Sequence, residues 1–183
     1  MRRHNLWIAM LAATATLGTT ATNADFIDDS NVQLKFKNFY LDRQYQDNYS
    51  SRNWGSWSQG VTLDAKSGYH DIGGGVQVGA DLLIQHAFRL NGRDNNPDWV
   101  LPHEGPGKGQ KDNFGKVGAA LKAKVSQTEL KVGELLPVSP VLVFDPSRQL
   151  LTTYSGAWLE SKDLKDTKLT LAYIDGINNR YDN

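Results

Sequence analysis

The chain contains no cysteine. That excludes a disulfide framework and any thiolate metal centre. It also lacks an apolar run near the roughly 20 residues that a membrane-spanning helix needs. The nearest approach is the short stretch from Leu6 to Ala13. No surplus of charge is present: 20 basic side chains offset 20 acidic ones. A basic nucleic-acid surface is therefore not indicated. Histidine is sparse, and His4, His70, His86 and His103 are too scattered to offer metal-ligand spacing. The serines lack a nucleophile elbow. Gly73-Gly74-Gly75 precedes a strand pattern, not a helix, so it suits strand curvature better than phosphate cradling. No catalytic constellation, metal site or cofactor site is expected.

What the chain does have is alternation. From about residue 31 to 173, apolar and polar side chains take turns, run after run. The clearest run is Trp57 to Lys66: Trp57, Val61, Leu63 and Ala65 point one way, and Ser58, Gly60, Thr62, Asp64 and Lys66 the other. Strand side chains alternate faces, so such a run wants oil on one side and water on the other. The pattern predicts about seven strands: Val32–Leu41, Trp54–Ser67, Gly74–His86, Phe114–Gln127, Thr128–Leu135, Ser155–Ser161 and Thr167–Tyr173. The connections alternate between short and long. Gly68 to Asp71, Ser126-Gln127 and Lys162 to Asp166 are short. Arg43 to Asn53, Arg89 to Asn113, Leu136 to Tyr154 and the stretch from Asp175 onward are long. Bacterial outer-membrane barrels have short periplasmic turns and long external loops. The mean hydropathy of -0.49 fits such a wall, because only every second strand residue meets lipid.

The start of the chain reads as a secretory leader over residues 1–24. Arg2 and Arg3 are followed by a short apolar core, and Thr22-Asn23-Ala24 offers a cleavage site before Asp25. Residues 25–183 then form one domain, an all-β transmembrane antiparallel β-barrel wall. Residues from about 136 to 154 carry Pro137, Pro140 and Pro146 amid apolar side chains. Proline removes a ladder donor, so a central strand is disfavoured, yet the segment is too apolar for an exposed loop. An inward-folding loop is expected. On the polar face of the fourth strand, Lys116, Lys122 and Lys124 would focus a positive field in a narrow lumen. The alternative is a wet wall balanced by acids. Lys35 and Lys37 have the same geometry, and Asp64 and Asp81 face inward as candidate ion-pair partners. Arg148, beside Ser147, either donates paired hydrogen bonds to a carboxylate or tethers the loop to the wall. Trp54, Trp57, Trp99, Trp158 and Tyr154 fit interfacial girdles or loop packing.

Several stretches together resemble the OprD-type substrate-specific porins of Gram-negative outer membranes. They are Phe26-Ile27-Asp28-Asp29-Ser30, Lys37 to Arg43, Trp57-Ser58-Gln59-Gly60, Gly118 to Ser126, Leu130 to Glu134, and Pro140-Val141 followed by Ser147-Arg148. The resemblance implies an 18-stranded barrel that passes small carboxylate-bearing nutrients, such as amino acids or aromatic acids. It implies a row of basic side chains that guides the carboxylate, and a third loop that narrows the lumen. Arg43 aligns with a guiding arginine, Arg52 falls nearby, and Ser147 and Arg148 sit in the constriction loop. Members are more than twice as long as this chain. The 183 residues are thus expected to be the N-terminal part of a barrel, from a truncated or split gene or a partial sequence, with a C-terminal half as partner. Two other readings compete. One is a self-contained barrel of about eight strands with a structural or adhesive role. The other is a soluble periplasmic β-sandwich. The barrel readings make outer-membrane lipid a partner and exclude nucleic acid.

Overall fold

The computed structural model of the chain describes residues 26–43, 54–92, 100–105 and 108–181. The expected leader and the first long loop lie outside them. The chain forms β1 (Asn31–Arg43), β2 (Trp54–Lys66), β3 (His70–Gly73), β4 (Val76–Gly92), β5 (Asn113–Val125), β6 (Thr128–Leu135), β7 (Thr153–Ser161) and β8 (Leu169–Asn178). They make a single antiparallel sheet in the order β1-β2-β4-β5-β6-β7-β8, with β3 paired to β4. Each long strand pairs with its neighbour in the chain, the up-and-down pattern of a barrel wall. Among the described residues no helix is long and apolar enough to cross a membrane. That says nothing against a wall that crosses with strands.

Register converts the alternation into two faces. Val32↔Ala65, Leu34↔Leu63 and Phe36↔Val61 stack on one side; Gln33↔Asp64, Lys35↔Thr62 and Lys37↔Gly60 stack on the other. The rows continue across β4 and β5, with Leu63↔Ile84↔Val117 outside and Thr62↔Gln85↔Lys116 inside. Exposure is inverted relative to a soluble sheet. Phe36, Val117 and Leu121 are 70%, 69% and 71% exposed, whereas Lys116, Lys122 and Gln85 are 8%, 7% and 2% exposed. Water would punish that arrangement on the outer face; hydrocarbon favours it.

Several boundaries differ from those expected. The segment read as a turn from Gly68 to Asp71 holds the start of β3, so eight strands form where about seven were expected. The tight turn lies instead at Gly74-Gly75, where Gly73, Gly74 and Gly75 take φ of 98°, 66° and 77°. Side chains rarely adopt that region, so glycine is required there. β4 continues past His86 to Gly92, and β8 continues to Asn178 through a stretch read as loop. The cause in β8 is a register shift between Ser155 and Gly156, which leaves Asp175 without a partner in the ladder. Such a bulge breaks the two-residue period from which strands are read. The eight-stranded closed barrel is not favoured: among the described residues β1 and β8 stand at opposite ends of the order and do not pair.

The short turns are stapled together at one end. Ser126 Oγ and the Gln127 N–H donate to Asp163 Oδ1 at 2.6 and 3.0 Å, and Thr128 Oγ1 donates to Asp163 Oδ2. These donors favour the ionised carboxyl and hold its pKa at about 2, below the usual 3.8. A depressed native pKa stabilises the fold above the unfolded value and loses that contribution as pH falls through the native one. Asp163→Ala is therefore expected to be less stable than the parent at neutral pH. The difference should shrink between about pH 4 and pH 2. Urea titrations at stepped pH check this, and a gap that stayed constant down to pH 2 would refute the staple.

Candidate functional site

The inner face carries the polar chemistry, and a loop lies across it. Residues 136–152 leave β6 and return to β7. The loop is internally hydrogen-bonded: Ser139 N–H donates to Leu142 O at 2.9 Å, and Phe144 N–H to Pro137 O at 3.0 Å. Its first half is a small hairpin with a Val138↔Val143 bridge. Proline at 137, 140 and 146 is tolerated because these positions owe no ladder donor. At Asp145 the Ser147 N–H donates to Oδ1 at 2.7 Å and Arg180 Nη1 to Oδ2 at 2.8 Å. Hydrogen bonding from Ser147, with the charges of Arg180 and Arg148, holds the Asp145 carboxyl below its usual range.

The returning limb is fastened to the wall strand by strand. Lys37 Nζ on β1 donates to Pro146 O at 2.8 Å and also to Arg148 O. Gln149 Nε2 donates to Lys37 O at 2.9 Å, and Ser58 Oγ donates to Gln149 Oε1 at 3.3 Å. Leu150 is fully buried with Ala87, Phe114 and Leu101. The Leu151 N–H donates to Gln85 Oε1 at 2.7 Å. Lys116 Nζ donates to Asn178 O, Asn179 O and Leu151 O at 2.9, 3.1 and 3.4 Å. Ammonium donors thus satisfy carbonyls of the loop and of the end of β8.

Nearer the short turns, charge is interlocked. Asp81 takes Lys122 at 2.7 Å and Lys131 at 3.1 Å. Lys122 Nζ also donates to Ser67 O at 2.7 Å. The ring of Tyr69 lies under both Lys122 and Lys124, at 4.9 and 5.6 Å, a cation–π arrangement. Its hydroxyl donates to Glu129 Oε2. Burial, then the Glu129 hydrogen bond and charge, raise the Tyr69 phenol well above its ordinary value. Asp64 takes Lys66 and Lys35 at 3.5 and 3.8 Å. Between these groups and the root of the loop lies a cavity of about 250 Å³, with Asp64, Asp81, Lys131, Glu134 and Trp158 in its walls. Both signs of charge face it, and Trp158 and Leu83 supply apolar area.

The residues singled out from sequence separate into groups. Lys122 and Lys124 come together through Tyr69, and Lys122 is buried in its ion pair. Ser147 and Arg148 lie on the returning limb, with Ser147 exposed. The Nε of Arg148 is buried without a hydrogen-bond partner among the described residues. Arg43 is exposed at the far end of β1, opposite Trp54 in register. Arg52 lies outside the described residues. Trp158 departs from the girdle reading: it is 9% exposed on the inner face and donates to Glu160 Oε1 at 3.1 Å. The sequence alone assigns no role to Tyr69, Gln85, Lys131, Gln149 or Arg180. Alternation places Gln85 and Lys131 on the inner face, so that signal was available. No local signal marks Tyr69, Gln149 or Arg180, whose contacts join segments far apart in the chain.

Comparison with known proteins places this geometry. A family profile described as outer membrane porin, OprD family, matches residues 24–183. The porin-like protein GalP of Pseudomonas putida is 35% identical over 163 residues, covering 88% of this chain and 39% of GalP. Among solved structures, Acinetobacter baumannii OccAB2 is 42% identical with a TM-score of 0.78, over 86% of this chain and 38% of that one. Pseudomonas aeruginosa OpdK, solved with vanillate, is 32% identical with a TM-score of 0.76, over 86% and 39%. The chain thus spans about two fifths of the length of these relatives.

Proposed function

The chain belongs to the OprD family of outer-membrane porins, and from that premise we propose that it supplies the first strands and constriction loop of a selective channel. The channel passes small carboxylate-bearing nutrients by passive diffusion across a Gram-negative outer membrane. The observation that carries this reading is the loop 136–152, tied to the inner wall by Lys37, Gln149, Gln85 and Lys116. A loop so held narrows the lumen without blocking it. The outer apolar rows meet lipid. Further strands pair with the open edges of β1 and β8, since bare backbone in hydrocarbon costs several kcal/mol per group. The wall works by guiding solutes, not by catalysis. Arg148 and Lys124 meet the solute carboxylate, while Lys122 is retained by Asp81 as a wall tie. Vanillate, the aromatic carboxylate in the OpdK structure, is a suitable probe.

The test joins the full chain to the C-terminal strands of GalP and records single-channel currents in planar bilayers. Channels that vanillate blocks are expected. Arg148→Ala should weaken that block about tenfold, the low end of what a charge-assisted hydrogen bond contributes. Absence of channels from the correctly folded parent would sink the reading.

A further inference from the structure

Resting on that channel reading, we infer that Gly60 is the residue that sets the aperture, through its contact with Gln149. One row of the inner wall runs Lys37↔Gly60↔Ala87↔Phe114 across four strands. The returning limb lies along this row in chain order. Lys37 holds the carbonyls of Pro146 and Arg148, Gly60 lies beneath Gln149, and Ala87 and Phe114 receive Leu150. The limb therefore crosses the strands, and its height above the wall follows the side chains beneath it.

At Gly60 there is no side chain. A Cβ there would fall 2.0 Å from Gln149 Nε2 and 3.1 Å from its Cδ. Normal contact begins near 3.5 Å, so the amide would have to retreat by about 1.5 Å. Gln149 has little freedom to turn aside: it is 3% exposed and held by Lys37 O and Ser58 Oγ. The root of the loop repeats the device, for a Cβ on Gly118 would fall 2.3 Å from Glu134 Cγ. Between these two bare positions the loop stands free in the lumen, with Val141 92% exposed. The size of residue 60 thus decides how far Arg148 and the limb project toward the pore axis. Selectivity among carboxylates of different width is set there, by a residue that touches no solute.

The experiment uses the full chain joined to the GalP strands, with heat-modifiable mobility to verify folding. Gly60→Ala and Gly60→Val are expected to lower unitary conductance in that order. Block by a broad aromatic carboxylate should weaken more than block by acetate. Gln149→Gly empties the contested space, so Gly60→Ala added to it should produce no further loss. Unchanged conductance in folded Gly60→Val channels would overturn the inference, as would an equal loss with and without Gln149. If both position-60 variants fail to fold, Gln149→Gly alone decides: raised conductance supports the seat and unchanged conductance refutes it. A folded parent without channels overturns the channel reading and this inference with it, whereas a conducting parent with an inert position 60 overturns only the latter.

Discussion

Replacing Asp81 by asparagine is expected to destabilise the folded wall by about 3 kcal/mol, because it strands a buried ammonium. Asp81 bridges two lysines, Lys122 at 2.7 Å and Lys131 at 3.1 Å. The side chain of Lys122 is 6% exposed, so water cannot take over when the carboxylate loses its charge. Its remaining contacts, the Ser67 carbonyl and the face of Tyr69, carry no net charge and do not balance the ion. The Lys131 side chain is 29% exposed and part of its loss is recovered by solvent and by Glu129. The effect therefore comes mainly from Lys122. The double substitution Asp81→Asn with Lys122→Met should recover most of the loss, since removing both partners of a buried pair is often neutral. Urea unfolding of the completed barrel in lipid vesicles measures all three. A loss below about 1 kcal/mol, the range of exposed pairs, would show that Lys122 is solvated in the lumen.

The second large effect concerns the neighbouring residue on the opposite face. Leu121→Arg is expected to cost about 2–4 kcal/mol when the protein unfolds from a bilayer, the toll for arginine near the midplane of a barrel wall. Leu121 is central in the outward run Val117, Ala119, Leu121, Ala123, Val125 of β5 and is 71% exposed. Its row continues through Val132, Ala157 and Tyr173. On a soluble sheet the same change at such an exposed site would fall within about 0.5 kcal/mol. The measurement thus separates lipid from water as the medium on that face. A near-neutral result would favour the soluble periplasmic sandwich and remove the membrane from the account.

Most of the wall was legible because a strand has a period of two and the two media differ. Each outward apolar run, such as Val32, Leu34, Phe36, names its own strand and face without knowledge of any partner. β3 escaped because four residues are too few to show a period. The end of β8 escaped because a bulge at Asp175 shifts that period by one. Within the site, alternation placed Lys37, Lys116 and Lys122 on the inner face, but a face is not a role. Lys37 grips loop carbonyls, Lys116 joins the loop carbonyl of Leu151 to those of Asn178 and Asn179, and Lys122 is held by Asp81 over the ring of Tyr69.

By itself the amino-acid sequence determined which side chains meet oil and which meet water, since that depends only on neighbours two residues apart along one strand. The tertiary structure decided which inner cations are bound up, where the loop lies, and why Gly60 must be bare. Those outcomes depend on contacts such as Lys37 with Pro146 and Gly60 with Gln149, between residues about ninety or more positions apart. Strand register and sheet curvature bring such pairs together, and neither is written in any local pattern.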